Sequence, residues 1–215
     1  MLWSQRLIVP RLAKMKPTGQ FTVKQEVCCS ACGQTTPSYD IVNYGSIQQG
    51  YKQLCGRCFN QEIAKREGLD FEHPEFTPVG LADCDGEVHE FYFRTHLLGP
   101  GVALDGFELR DGHPAGYWFQ IIGKPEEDLL VLLGRLIERI RRALSTKHLA
   151  DGNLGLQISG QVVRGRIEWD DANDGRLPIL IIDGREVSWG KFGQMLMSFE
   201  GFHFQLNIRD KSEEC

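Results

Sequence analysis

The sequence predicts an α+β protein in which a small cysteine-rich module precedes a mainly antiparallel sheet covered by two helices. Four of the seven cysteines fall in two closely spaced pairs near the N-terminus. Beyond about residue 76, short segments of alternating apolar and polar residues indicate strands, and two longer segments carry apolar residues at helical spacing. We therefore expect three parts, an arm (1–25), the cysteine-rich module (26–72) and an α+β domain (76–210).

The composition is that of an ordinary globular protein. Hydrophobic residues make up 41% of the chain and charged residues 25%, so neither a disordered nor a fibrous chain is indicated. No apolar run approaches the roughly 20 residues that span a bilayer. The N-terminal "LIV" is too short for the apolar core of a signal peptide. We therefore expect a cytoplasmic location without membrane contact.

Charge is distributed unevenly along the chain. The net charge is −5, yet residues 1–25 hold five basic residues and no acidic one. A basic arm on an acidic body could contact phosphate groups or lipid headgroups, but a short solvated tail explains it at least as well and is the preferred interpretation. Both interpretations stay open.

The cysteine spacing carries the most specific chemical signal. Cys29 and Cys32 are separated by two residues, as are Cys55 and Cys58. Two such pairs can complete the tetrahedron of thiolates that Zn²⁺ prefers, so these four cysteines are the predicted ligands of a structural zinc ion. Redox-active or disulfide-bonded pairs are the alternatives, and a cytosolic location disfavours disulfides.

Local features around the cysteines support a metal site. Gly33 suits a positive φ after the first pair, and Gly56 inside the second pair is expected to serve the same need. Cys28 adjoins Cys29 and could substitute for it as a ligand, but only Cys29 keeps the two-residue spacing. We expect a buried position for Cys84 and a solvated position for Cys215.

A helix is predicted directly after the second cysteine pair. "FNQEIAKREG" carries Phe59 and Ile63 four residues apart and reaches Gly68, which suits a helix C-terminus. Between the pairs, "TTPSYDIVNYGSIQQGYKQL" is rich in β-formers and interrupted by glycines, as expected for a hairpin. Over residues 26–70 this order resembles treble-clef and zinc-ribbon fingers with four cysteines. The resemblance implies zinc binding but no particular partner.

Strands dominate the region after residue 76. "EVHEFYFRTHLL" alternates, which predicts that Phe91, Phe93 and Leu97 are buried and that the other face is wet. "VALDGFELR" and "AGYWFQII" follow after short turns, so we expect an antiparallel meander. Later strands are predicted in "QVVRGRIEW", "LPILII" and the final "FHFQLNI", whose apolar residues are expected on one buried face.

Two helices are predicted in this larger region. "KPEEDLLVLLGRLIERIRRALSTKHL" begins with Pro125 and acidic residues in its first turn and carries basic residues towards its end. The second helix is expected to begin after Ser188 and to bury one stripe, Trp189, Phe192, Leu196 and Phe199. "GVALDGFELRDG" and "DGREVSWGKFGQMLMSFEGF" resemble segments of uncharacterised bacterial proteins that join such a domain to a cysteine-rich module. That resemblance implies no activity.

One cluster is a candidate for catalysis. In "DCDGEVH" the acidic and imidazole side chains recur at every second residue, Asp83, Asp85, Glu87 and His89. On a strand they would share one face and hold a metal or supply an acid and a base. Asp85-Gly86 also suits a turn, which would break that arrangement. The common phosphate-loop, dinucleotide and hydrolase motifs are absent from the sequence.

These observations leave three functional hypotheses. The leading one is a zinc-binding, non-catalytic interaction or adaptor protein with a protein partner. The first alternative is a regulatory protein that binds nucleic acid through the zinc module and the arm, although acidic residues outnumber basic ones in residues 26–72. The second alternative is a metal-dependent enzyme that uses the cluster from Asp83 to His89.

Overall fold

The computed structural model describes residues 26–48, 50–153, 155–170 and 173–213. The predicted N-terminal arm and Cys215 lie outside these residues. The described residues form three α-helices and five sheets whose strands pair antiparallel, which confirms the α+β class.

The cysteine-rich module consists of two hairpins and a helix. Its elements are β1 (Glu26–Cys28), β2 (Thr35–Pro37), a 3-10 turn (Ser38–Asp40), β3 (Ile41–Ser46), β4 (Gly50–Cys55) and α1 (Gly56–Glu67). The predicted hairpin is present, because β3 pairs antiparallel with β4. The predicted C-terminus of α1 is also confirmed, since Gly68 adopts the left-handed conformation with φ 66°.

A four-stranded antiparallel meander forms the centre of the molecule. Its elements are β5 (Val79–Ala82), β6 (Val88–Leu98), β7 (Gly101–Arg110), β8 (His113–Gly123) and the helix α2 (Leu129–Leu144). The α2 helix packs through Leu132, Leu136 and Ile140, which are fully buried. It begins later than predicted, because Pro125 precedes the helix and the Asp128 side chain caps it by accepting a hydrogen bond from the Leu130 N–H.

The C-terminal part has its own sheets and core. Its elements are β9 (Leu149–Gly152), β10 (Gly155–Ile158), β11 (Arg166–Trp169), β12 (Pro178–Ile182), β13 (Arg185–Ser188), α3 (Trp189–Leu196) and a 3-10 turn (Met197–Phe199). The strands form a two-stranded and a three-stranded sheet, not extensions of the meander. Strand β12 and helix α3 supply most of a second core cluster, Leu149, Leu180, Ile182, Val187 and Met195.

Helix α3 begins where predicted but buries a different residue. The Ser188 hydroxyl accepts a hydrogen bond from the Lys191 N–H, as expected of a cap. Met195 is the buried residue, whereas Trp189 and Leu196 remain 46% and 44% exposed. The predicted stripe was wrong for Trp189 and Leu196, because the helix meets β10, β12 and β13 mainly through the face of Met195, whereas Phe192 does pack against this core.

The predicted final strand is absent from the structure. Residues 201–210 are assigned to no strand, and the apolar residues expected on its buried face, Phe202, Phe204, Leu206 and Ile208, are all exposed. The alternation of this segment is typical of a strand, but the described residues place no neighbouring strand beside it.

The cysteine-rich module covers one face of the meander. Strand β6 buries Phe91 and Leu97 towards α2, as predicted. Its opposite face was expected to be wet, yet Tyr39 packs edge-on against Tyr92, and Phe59 packs edge-on against His96. That expectation was wrong because the alternation within a strand does not show whether a distant segment of the chain will pack over its polar face.

Candidate metal centre and a second polar cluster

The structure brings together the sulfur atoms of Cys29, Cys32, Cys55 and Cys58. All four Sγ atoms lie within 4.8 Å of one another, and those of Cys32 and Cys55 are 3.9 Å apart. Four thiolates around a tetrahedral ion with metal–sulfur bonds of about 2.3 Å have sulfur–sulfur separations of about 3.8 Å. The cluster therefore has the dimensions of a site that could hold a metal ion.

Turns at both cysteine pairs direct the sulfurs towards one point. The first pair lies in the turn between β1 and β2, where the Gly33 N–H donates to the Cys29 carbonyl and Gly33 adopts the predicted positive φ, 73°. The second pair spans the end of β4 and the first turn of α1, with Cys55 at the N-cap position. The Ser30 N–H donates to the Gln53 carbonyl, which ties the two turns together.

Gly56 serves a need different from the predicted one. It is the first residue of α1, and its φ is not positive. A Cβ atom at Gly56 would lie 2.5 Å from Oδ1 of Asp40, and Oδ2 of Asp40 accepts the Gly56 N–H at 3.2 Å. Any larger residue at position 56 would displace the Asp40 carboxylate, because that carboxylate approaches the start of the helix closely.

The electrostatics of the cluster favour thiolate formation at one cysteine. Burial raises the pKa of Cys29, but hydrogen bonds from the backbone N–H groups of Cys32, Cys55 and Ala31 outweigh it and lower that pKa to about 6. Burial and the neighbouring thiols raise the pKa values of Cys55 and Cys58. A divalent cation would favour the thiolate form of all four groups, because metal coordination deprotonates thiols.

The remaining described cysteines lie outside the cluster. Cys28 is exposed, and its Sγ donates to the Gly33 carbonyl at 3.3 Å. Cys84 was expected to be buried but is exposed in the turn between β5 and β6. Its N–H donates to the carbonyl of Leu144 at the end of α2, so Cys84 contacts α2 through its backbone and not through its thiol.

A second polar cluster gathers three of the four residues proposed for catalysis. Potential ligand atoms of Asp83, Glu87 and His89 lie within 4.8 Å of one another. Residues 83–87 form a turn, in which Gly86 has φ 85°, and not a strand. Oδ1 of Asp83 accepts hydrogen bonds from the N–H groups of Asp85 and Glu87 at 2.9 Å each. These bonds stabilise the turn, so the four side chains do not share one face of a strand as predicted.

A lysine pairs with the buried aspartate of this cluster. Nζ of Lys147 lies 2.7 Å from Oδ2 of Asp83 and also contacts Asp85 at 2.5 Å. The bond with Lys147, aided by the backbone N–H donors, holds the pKa of Asp83 well below its usual range. Lys147 was counted only among the basic residues expected towards the end of the first long helix, because Asp83 and Asp85 are distant from it in the chain.

His89 is held between two carboxylates. Its Nδ1 lies 2.8 Å from Oε1 of Glu108, and its Nε2 lies 3.4 Å from Oδ2 of Asp83. Burial lowers the pKa of His89, but these two carboxylates outweigh it and raise the pKa above its ordinary value. The cluster is thus an ion-paired junction of the β5–β6 turn, β7 and the segment after α2.

A shallow groove lies elsewhere on the surface. It has a volume of about 210 Å³ and is lined by residues of β8 and β11 with Lys211. None of the proposed catalytic residues lines it. Among the described helices, none combines the length and apolar character needed to cross a membrane.

The comparisons with known proteins divide the chain as its structural parts do. Residues 28–70, 72–145 and 148–213 match three family models, each described as a domain of unknown function (DUF7685, DUF7686 and DUF7713, respectively). No curated protein and no solved structure gives a significant match. The first matched range contains the cysteine cluster, the second contains the meander with α2, and the third contains the C-terminal sheets with α3.

Proposed function

We propose that Cys29, Cys32, Cys55 and Cys58 bind one structural zinc ion in a treble-clef-type module, and that the protein is a non-catalytic interaction or adaptor protein. The convergence of the four sulfurs within 4.8 Å carries this proposal. Four protein ligands leave no open coordination position for a substrate, which is the arrangement of a structural site.

The order of elements supports the treble-clef interpretation. A tight cysteine turn, the β3–β4 hairpin and a helix opening at the second cysteine pair follow one another in the chain. Thiolate-only ligation suits zinc or iron, whereas calcium and magnesium require oxygen ligands. A reduced thiolate site is compatible with a reducing compartment such as the cytoplasm.

The metal can be tested by replacement. Apo-protein titrated with Co²⁺ should develop the absorption of tetrahedral thiolate coordination, and one equivalent of Zn²⁺ should abolish it. The Cys32→Ser/Cys58→Ser variant should show neither change, whereas Cys28→Ser should behave as the parent. A spectrum of octahedral Co²⁺ would contradict the proposal. So would bound Co²⁺ that iron displaces but Zn²⁺ does not.

The free surface of the module suits a protein partner. Helix α1 turns Ile63 and Ala64 into the core, whereas Ile47 and Tyr51 at the tip of the β3–β4 hairpin are 90% and 62% exposed. Exposed tyrosine and other large apolar side chains are the kind of group that anchors protein contacts. The acidic balance of residues 26–72 makes nucleic acid the weaker alternative.

The interaction role can be tested by affinity capture from the native host. We expect partners captured by the parent to be lost with Ile47→Ser/Tyr51→Ser and retained with the exposed control Lys65→Ser. Equal capture by all three proteins would argue against this surface. Binding to nucleic acid that weakens steeply with salt would support the alternative instead.

A further inference from the structure

Residues 202–208 form an exposed segment with the pattern of an unpaired strand. The four apolar side chains on its even-numbered positions are exposed by 64%, 91%, 72% and 68%, for Phe202, Phe204, Leu206 and Ile208, respectively. Within the described residues, the backbone groups of 203–208 have no backbone hydrogen-bond partner. Such a segment presents both an apolar face and free main-chain donors and acceptors, which is the template for strand addition.

Contacts at both ends hold this segment in place. At its start, the Phe202 N–H donates to the Phe199 carbonyl, and the two rings pack edge-on at 5.8 Å. At its end, the Arg139 guanidinium of α2 donates to the carbonyls of Lys211 and Ser212 at 3.2 Å each. Because the segment is already anchored at both ends, less conformational entropy is lost when it pairs with another strand.

We propose that residues 202–208 pair antiparallel with the same segment of a second copy of this chain. A twofold axis at Gln205 places Phe202 opposite the second copy's Ile208, and Phe204 opposite its Leu206. Every apolar residue then faces an apolar residue, which is the self-complementarity that a twofold interface requires.

Charge and area are compatible with this occupant. Residues 202–208 contain no Asp, Glu, Lys or Arg, so two copies approach without like charges inside the paired stretch. Four large side chains on each copy expose together on the order of 1,000 Å² of surface, and side-by-side pairing buries only the part that faces the opposing strand, so this interface lies at the low end of the size range. We therefore expect a dimer that dissociates in the micromolar range.

The oligomeric state tests the surface. Sedimentation or light scattering of the full chain between roughly 1 and 100 µM should show a concentration-dependent dimer. Phe204→Glu should be monomeric with an unchanged circular dichroism spectrum, because this side chain is exposed in the single chain. The control His203→Glu changes the opposite face and should dimerise as the parent. A monomeric parent at the highest concentration, or equal dimerisation of both variants, would overturn the proposal.

Disulfide trapping tests the register. In a background with Cys28, Cys84 and Cys215 replaced by serine, Gln205→Cys places two thiols directly opposite each other across the axis, within disulfide reach. Asn207→Cys places the two thiols four residues apart along the strands, about 13 Å, which is too far. Mild oxidation should cross-link only the Gln205→Cys variant. Cross-linking of both variants, or of Asn207→Cys alone, would contradict the register.

Discussion

The side-chain amide of Asn60 accepts a hydrogen bond from the backbone N–H of Leu97 at 2.9 Å, as a neighbouring strand would. Its Nδ2 donates to the Thr95 carbonyl at 2.8 Å. Strand β5 pairs only with the first part of β6, so this stretch of edge lacks a strand partner on that side. Asn60 therefore docks the cysteine-rich module onto the meander by completing its hydrogen bonds.

Replacing Asn60 should destabilise the protein. The residue is fully buried, and Asn60→Ala leaves a backbone donor and acceptor of β6 without partners, at a cost of about 3 kcal/mol. Gln61→Ala, at the exposed neighbouring position of α1, is the matched control. Chemical denaturation of the three proteins measures the difference, and an Asn60→Ala variant as stable as the control would contradict this role.

Two glycines should respond to alanine in opposite directions. A Cβ at Gly106 of β7 would lie 3.2 Å from Ile140 Cδ1 and 3.3 Å from Leu136 Cδ2, so Gly106→Ala overpacks the contact with α2. Gly134 in α2 has no atom within 4 Å of its Cβ position, so Gly134→Ala gains helix propensity. We expect a loss of about 1 kcal/mol in the first case and a gain of about 1 kcal/mol in the second.

Thermal denaturation of the two variants beside the parent checks the sign. A stabilising Gly106→Ala would show that the contact between β7 and α2 is looser than these distances indicate. A destabilising Gly134→Ala would show that the exposed face of α2 has a contact that the described residues do not supply.

His89 should make stability depend on pH. Glu108 and Asp83 raise its folded-state pKa above the ordinary value near 6.5. The charged form therefore stabilises the fold fully below about pH 6.5, and this contribution is lost as pH rises through the raised pKa. The difference in melting temperature between the parent and His89→Gln should shrink from pH 5.5 to pH 9. A difference that grows over this range would contradict the ion-paired arrangement.

Removing the proposed zinc ion should loosen more than the module itself. A module of about 45 residues has too little core to fold alone, and structural zinc supplies on the order of 10 kcal/mol. Because Ile63 and Ala64 of α1 belong to the central core, chelation should raise hydrogen exchange in α1 and in residues 92–98 of β6. Strand β12 belongs to the separate C-terminal core and serves as the internal control. Unchanged exchange in α1 would contradict the coupling.

The sequence predicted those features that depend on local spacing. Cysteine pairs, strand alternation and the caps at Ser188 and Gly68 are encoded within a few residues, and the structure contains them. Asn60 escaped detection because its partners in β6 lie 35 and 37 residues away. The final strand was predicted wrongly for the converse reason, since alternation indicates that a strand can form but not that a partner strand is present.

The cluster from Asp83 to His89 shows the same limit at a site. Its residue types suit metal binding or acid–base chemistry, and three of them do converge. The lysine that neutralises Asp83 lies 64 positions further along the chain, at Lys147, and only the fold brings it there. Spacing alone therefore could not separate an ion-paired junction from a catalytic centre.

Elemental analysis of the reduced, purified protein tests the central claim most directly. We expect one zinc ion per chain in the parent and in Cys28→Ser, and loss of that zinc in Cys29→Ser/Cys55→Ser. A parent protein without bound metal, or zinc that persists after both cysteines are replaced, would contradict the proposed site.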